Sequence, residues 1–180
     1  MRFRRSLLWL LVPILGACVG GGSRSYELVE PEDLGAEHLS ADAVDAIVAG
    51  TADPPRYSSV PATSGPHAPA STPCGIFRQE VPEIFNIHTL EHGAVIFYYQ
   101  PDVISSEERT QLEELGRQLA THVIVMPYSD LDVSLAMVAW SRLAKLDRVD
   151  LDSVRSFWGE FAQRGPESGI ACEVTVDEGG

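Results

Sequence analysis

Basic residues are scarce in this chain, which carries 13 lysines and arginines against 26 aspartates and glutamates, a net charge of −13 at pH 7. Nucleic acids and anionic lipid surfaces repel a protein of this charge. The composition therefore argues against a nucleic-acid partner and against adhesion to a membrane through basic side chains. An acidic surface is compatible with attracting cations, although it more often serves only solubility.

Long hydrophobic runs are also lacking. The apolar run of residues 7–15 is shorter than the roughly 20 residues of a membrane-spanning helix, and Pro13 and Gly16 interrupt it. Arginines precede this run, and the sequence Leu-Gly-Ala-Cys ends at Cys18. The pattern predicts a lipoprotein signal peptide over residues 1–17, followed by a lipidated cysteine. We expect an extracytoplasmic protein whose lipid anchors it to the cell membrane or an outer membrane; an uncleaved amino-terminal anchor is the alternative.

Cysteine is the third scarcity, with three residues in 180. If Cys18 carries the lipid, the remaining pair is Cys74 and Cys172, and outside the cytoplasm an even pair favours a disulfide. Such a bond would join the start of the folded core to the tail. The alternative is that Cys74 is a thiolate ligand near His67.

Two histidines and a glutamate directly precede a strongly strand-prone segment, in the sequence HTLEHG of residues 88–93. On an extended strand, residues four apart span about 13 Å, too far to share an ion held about 2 Å from each ring nitrogen. On a helical turn they lie about 5–6 Å apart. Gly93 favours the helical geometry because glycine readily ends a short helix. We therefore predict a turn or a single helical turn that lets His88 and His92 converge.

A proline-rich loop supplies a third histidine, His67, in the sequence Ser-Gly-Pro-His. The prolines of residues 54–73 exclude regular structure, and the segment has few charges, so we expect an ordered loop packed across the domain. Such a loop can bring His67 to the other two histidines. By contrast, His38 and His122 have no neighbours in sequence that indicate more than a surface position.

The candidate metal ligands are therefore His67, His88 and His92, with Glu91 as a fourth ligand or as a partner that fixes a histidine tautomer. Met126 ends a neighbouring predicted strand and could add a soft sulfur, although methionine commonly serves as core filler. Three histidines with a thioether suit copper, whereas three histidines with a carboxylate suit zinc.

The hydrophobic pattern predicts an α+β fold, a small two-layer βαββα domain with the proline-rich loop packed across it. The first strand is 94–99, and a capping box at Ser105 begins a helix that runs to about residue 120. A parallel strand follows at 123–126, then a returning strand at 133–140 and a helix that Asp152 or Ser153 caps and Gly165-Pro166 ends. The domain is expected over residues 54–167, after a tether of residues 18–53 and before an acidic tail of residues 168–180. Within the tether, residues 26–37 are expected to be unstructured and residues 40–49 to form a short helix. A short strand is expected within residues 74–80.

Four sequence segments resemble those of the DUF3105 family of uncharacterised extracytoplasmic or membrane-anchored proteins. They are PATSGPH at 61–67, IHTLEHGAV at 87–95 followed by Tyr98-Tyr99, VAW at 138–140 and GPE at 165–167. The resemblance covers about residues 57–167 and implies that the histidines and Glu91 belong to one family pattern. It implies no activity. Val60 and Ala62 replace a larger proline-aromatic approach that the family often has before the first motif.

Three functions follow as hypotheses. The first is a lipoprotein that binds a copper or zinc ion. The second is a non-catalytic structural or interaction module, with Ser64 and His67 hydrogen-bonded to the backbone around Glu91. The third is a small zinc-dependent hydrolase, because residues 88–92 fit the H-x-x-E-H order of some zinc peptidases. Gly93 and a strand follow that order at once, which disfavours an enzyme. The sequence indicates no particular protein partner.

Overall fold

The computed structural model describes residues 24–119 and 121–174, so the predicted signal peptide and Cys18 lie outside the described residues. Within the described part the elements are α1 Ala41–Val48, β1 Gly75–Ile76, α2 Glu83–Glu91, β2 Val95–Tyr99, α3 Ser106–Gln118, β3 Val123–Pro127, β4 Leu135–Ala139, β5 Arg142–Leu146 and α4 Leu151–Phe161. This confirms the α+β class. Across the same residues, no helix is both long enough and apolar enough to cross a bilayer.

The five strands form one mixed sheet in the order β1-β3-β2-β4-β5. Strand β2 occupies the centre, pairs with β3 in parallel and with β4 in antiparallel orientation, and is buried along its whole length. Its β-branched and aromatic side chains suit that position because they fill a pleated surface that is covered on both sides. The parallel pairing across α3 and the antiparallel return were both predicted from the sequence.

Alternating residues of β2 divide the core into two clusters. Val95, Phe97 and Tyr99 pack with residues of α3 and α4, whereas Ile96 and Tyr98 belong to a second cluster that includes Leu90 of α2. Both faces of the sheet are therefore covered. The arrangement differs from the predicted two-layer βαββα order, because α2 precedes β2, β1 adds an edge strand and β5 follows β4.

Helix α2 was predicted as a single turn but extends over nine residues. Most of its side chains are buried, polar ones such as Asn86 and Thr89 among them. A helix enclosed on all sides has no apolar stripe with a period of 3.6 residues, so the sequence pattern did not indicate its length. Its end was predicted correctly, since Gly93 has a φ of 91° and β2 begins two residues later.

Two further boundaries differ from the sequence analysis. Strand β5 follows β4 after a two-residue turn at Trp140 and Ser141, and the sequence analysis missed it because its alternation is weak. Helix α4 begins at Leu151 with Asp150 as its cap, rather than with Asp152 or Ser153. The Asp150 carboxylate accepts a hydrogen bond from the Asp152 backbone N–H, 3.3 Å away, which satisfies one of the free N–H groups of the first turn. The helix ends at Phe161, before Gly165.

The segment before α1 was expected to be unstructured but packs on the domain. Tyr26 is buried in the first core cluster, with its ring centroid 5.7 Å from that of Phe157. Val29 forms an antiparallel bridge with Leu143 of β5, through hydrogen bonds of 2.8 and 2.9 Å. Because this pairing joins residues more than 100 positions apart, no local pattern predicts it.

Cys74 and Cys172 are joined by a disulfide, with their Cα atoms 5.7 Å apart. The bond holds the segment after the last helix against β1, and Cys74 also donates its backbone N–H to Glu173. The Cys74 sulfur is therefore engaged and is not a thiolate beside His67. Part of the predicted acidic tail thus packs on the domain.

Candidate metal centre

His67 is the most enclosed histidine of the site, with a side chain that is 0% exposed. Its backbone accepts a hydrogen bond from Leu39 and donates one to Glu37, which fixes the proline-rich loop against the leader, as we call the segment of residues 24–40 before α1. The ring Nδ1 lies 2.9 Å from the Gly65 carbonyl oxygen. Because a carbonyl can only accept, Nδ1 carries the proton and the lone pair of His67 is on Nε2.

His88 has the same arrangement on the last turn of α2. Its Nδ1 donates to the Ala68 carbonyl oxygen, 2.8 Å away, so the lone pair of the neutral ring is also on Nε2. The His67 and His88 ring centroids are 5.1 Å apart. Two imidazoles from different segments therefore lie side by side, each with Nε2 as the nitrogen that can bind a metal.

Glu91 lies one turn beyond His88, with its side chain 6% exposed. Its Oε2 is 3.1 Å from His67 Nε2, close enough for an ion pair. Yet both atoms are buried without a hydrogen-bond partner among the described residues. The two atoms are therefore close, but they are not oriented for a hydrogen bond with each other. Two acceptors thus face each other, an arrangement that costs free energy unless a cation lies between them. Burial lowers the pKa of His67, which disfavours a proton as that cation.

His38 completes this group, although the sequence analysis placed it on the surface. Its side chain is 51% exposed, and its Nε2 lies 4.0 Å from Glu91 Oε2. Its ring centroid is 4.9 Å from that of His67 and 5.0 Å from that of His88. Each of the four residues offers a ligand atom within 4.8 Å of the others. The pairing between the leader and the loop brings His38 here, and no motif spacing could have revealed it.

His92 caps the C-terminus of α2 and lies beside this group rather than within it. Its Nε2 is 3.1 Å from His88 Nε2 and 3.5 Å from Glu167 Oε2. It forms a second group of potential ligands with Glu91 and Glu167. Burial lowers the pKa of His92, and the neighbouring His88 lowers it further. The predicted convergence of residues 88 and 92 is therefore present, and Glu167 is an acidic partner that sequence analysis missed.

Met126 and His122 occupy other places. The Met126 sulfur accepts a hydrogen bond from the Asn86 side chain at 3.5 Å and is buried in the second core cluster, as a core filler would be. His122 was expected on the surface but is buried, with its Nε2 2.9 Å from the Ile170 carbonyl oxygen and its Nδ1 2.8 Å from the Thr121 hydroxyl. Its role is to hold the segment after α4.

Hydrogen bonds from α2 hold the proline-rich loop in place. The Glu83 carboxylate accepts from the Ala62 backbone N–H at 2.7 Å, and burial raises the pKa of Glu83. The Tyr57 hydroxyl donates to the Pro66 carbonyl oxygen at 3.0 Å. Gly65 has a φ of 127°, which L side chains rarely adopt, and the Tyr57 ring lies beside it. The loop that carries His67 is therefore positioned before any ligand arrives.

The fold and site define an α+β domain with a buried cluster of histidines and a glutamate that can hold a metal ion. The chain belongs to the family described as "Protein of unknown function (DUF3105)", which matches residues 51–174. No curated protein and no solved structure matches the chain. His38 lies outside the matched residues, so the leader supplies one of the four potential ligands.

Replacing Gly165 by alanine tests how closely the segment after α4 must approach Glu91. A Cβ at Gly165 would collide with the Glu91 carbonyl oxygen and lie 2.6 Å from the Gly93 nitrogen. We expect Gly165→Ala to lower the free energy of unfolding by about 1–3 kcal/mol in urea denaturation, because backbone atoms must move. Gly159→Ala is the control: its Cβ would meet nothing within 4 Å, so a gain of about 0.5–1 kcal/mol is expected within α4. Equal effects of the two substitutions would contradict the close approach.

Proposed function

We propose that this protein is an extracytoplasmic lipoprotein that binds a divalent transition-metal ion, zinc or copper, in the cluster of histidines and Glu91. The observation that supports the proposal most is the pair of buried acceptors, His67 Nε2 and Glu91 Oε2, which lie 3.1 Å apart without hydrogen-bond partners among the described residues. A dication between the two atoms would turn a repulsive contact into two coordinate bonds.

The spacing of the ligand atoms suits such an ion. With metal–nitrogen bonds of about 2.0–2.1 Å, two ligands of a tetrahedral ion lie about 3.3 Å apart. The distance between His67 Nε2 and Glu91 Oε2 is 3.1 Å. His38 Nε2 is 4.0 Å from the same oxygen, so a shift of less than about 1 Å of its half-exposed ring would bring it to the ligand spacing.

The hydrogen bonds behind the ligands also support the proposal. A histidine that binds a metal through one ring nitrogen commonly donates the N–H of the other to a backbone carbonyl or a carboxylate, which fixes its tautomer. His67 does so with Gly65 and His88 with Ala68. The His67 lone pair is thereby available for an ion, whereas that of His88 contacts His92, whose Nε2 lies 3.1 Å away.

The ligand set favours zinc. Three imidazoles and a carboxylate form a four-ligand set that suits Zn²⁺, and the thioether that would favour Cu(I) is engaged elsewhere, since Met126 accepts from Asn86. Cu²⁺ also binds imidazole and generally binds more tightly than Zn²⁺, so it is the competitor. The excess of acidic over basic residues favours the approach of either cation.

The alternative is a structural module in which the histidines only hold the loop against α2 through hydrogen bonds. The hydrogen bonds from His67 and His88 to backbone carbonyls favour it, because each joins two segments. It does not account for the facing acceptors of His67 and Glu91. The two hypotheses therefore predict opposite effects of changing Glu91.

The lipid anchor rests on the sequence of residues 1–18, which predicts removal of the signal peptide and lipidation of Cys18. We expect the wild-type protein to take up labelled palmitate and Cys18→Ser, which has no thiol to lipidate, to take up none, as measured by metabolic labelling and immunoprecipitation. Wild-type protein without label would contradict the lipid anchor.

Calorimetric titration of metal-free protein with Zn²⁺ tests the metal site. We expect binding by the wild type and a loss of affinity on the order of 100-fold or more for His67→Ala, because one direct ligand is removed. His38→Ala should weaken binding as well, and its half-exposed side chain can be removed without opening the core. His122→Ala removes another buried imidazole and should keep the affinity. Wild-type protein that takes up neither Zn²⁺ nor Cu²⁺ would end the proposal.

Glu91→Gln distinguishes the metal site from the structural module. In chelator, the amide of a glutamine can donate to the His67 lone pair, so we expect the free energy of unfolding to rise by about 1 kcal/mol. Added Zn²⁺ should stabilise the wild type by about 2.7 kcal/mol at 100 times the dissociation constant, and this variant much less. Glu114→Gln, on the exposed face of α3, should change neither quantity. A lower stability of Glu91→Gln in chelator would favour the structural module.

A further inference from the structure

The metal centre has a second half that the first group of ligands does not use. We infer that it is a two-metal centre in which the Glu91 carboxylate bridges an inner and an outer ion. This inference rests on the proposed function. The inner ion takes the imidazoles of His38, His67 and His88, and the outer ion takes His92 and Glu167.

The two groups of potential ligands share Glu91. Within each group the ligand atoms lie within 4.8 Å of one another, and Glu91 is the one residue common to both. A carboxylate has two oxygens and can bind one ion with each, and bridged ions in two-metal sites lie about 3.5–4 Å apart. Glu91 Oε2 lies 3.1 Å from His67 Nε2 and so belongs to the inner group, while the outer group lies within 4.8 Å of a Glu91 oxygen.

The outer ligands have the spacing of a coordination sphere. His92 Nε2 and Glu167 Oε2 lie 3.5 Å apart, close to the roughly 3.3 Å expected between two ligands of one tetrahedral ion. The backbone holds both in place: Glu167 donates its N–H to the Glu91 carbonyl oxygen at 3.0 Å, and His92 donates its N–H to the His88 carbonyl oxygen at 3.2 Å. Glu167 therefore reaches the site because its own main chain is tied to the helix end.

The contact between His88 and His92 joins the two groups of potential ligands. Their Nε2 atoms are 3.1 Å apart, and the His88 nitrogen carries a lone pair because its Nδ1 donates to Ala68. Without metal, His92 can donate a proton across this contact. A spacing of 3.1 Å also suits two ligands of one ion, so the shared Glu91, and not this contact, is the argument for two ions.

The outer position is more open than the inner one. The His92 side chain is 17% exposed and that of Glu167 57% exposed, whereas His67 is fully buried. His92 also borders a cleft of about 240 Å³ that Thr72, Thr89 and Cys172 help to line. With three protein ligands, the outer ion keeps at least one position for water, which is the arrangement of exchangeable rather than closed metal sites.

The test counts ions in full-length protein that was stripped with chelator and reloaded with Zn²⁺. Calorimetry and elemental analysis should give two equivalents for the wild type, and one for the double variant His92→Ala/Glu167→Gln. The control Glu114→Gln should keep two. One equivalent in both the wild type and the double variant would overturn the two-metal centre and leave the inner site intact. No bound zinc at all would instead refute the proposed function.

Loading with Cu²⁺ tests the bridge. The first equivalent should give the paramagnetic resonance of an isolated ion, and the second should reduce the signal per copper, because ions joined by one carboxylate couple magnetically. The double variant should give only the isolated signal, at one equivalent. Two equivalents with strictly additive signals would place the second ion away from Glu91 and overturn the inference.

Discussion

The contact between His67 Nε2 and Glu91 Oε2 is the constraint around which the site is built. Both atoms are acceptors, both are buried, and they lie 3.1 Å apart without a hydrogen bond to the described residues. Burying a charged oxygen against a lone pair opposes folding unless another interaction compensates. The fold maintains this contact by means that do not involve the two atoms themselves, which is why we interpret it as a preformed cation site.

Those means are distributed over the whole domain. The Gly65 and Ala68 carbonyls fix the tautomers of His67 and His88. Glu83, the first residue of α2, accepts a hydrogen bond from the loop. The leader pairs with the loop on one side, and on the other the segment after α4 packs so closely on the end of α2 that a side chain at Gly165 would collide with it. Three separate parts of the chain thus converge on the end of one short helix.

Local sequence pattern was most informative where it agrees with the tertiary environment. Strand β2, helix α3 with its capping box and the parallel partner β3 were predicted because alternation, capping residues and buried runs act over a few positions. It was least successful where burial is complete or pairing is distant. Helix α2 has no apolar stripe because polar residues face an enclosed site, and Val29 adds to β5 across more than 100 positions.

The sequence by itself determined which potential ligands are present. They are two imidazoles and a carboxylate that converge only on a helical turn, a third imidazole on a proline-rich loop, and a pair of cysteines. Local stereochemistry is enough for that, because residues four apart on a helix meet wherever the helix lies. Tertiary structure alone decided which side chains share a volume. It brought in His38 and Glu167 and placed Met126 in the core, since each of these depends on contacts between segments far apart in the chain. The disulfide between Cys74 and Cys172, by contrast, was predicted from the cysteine count.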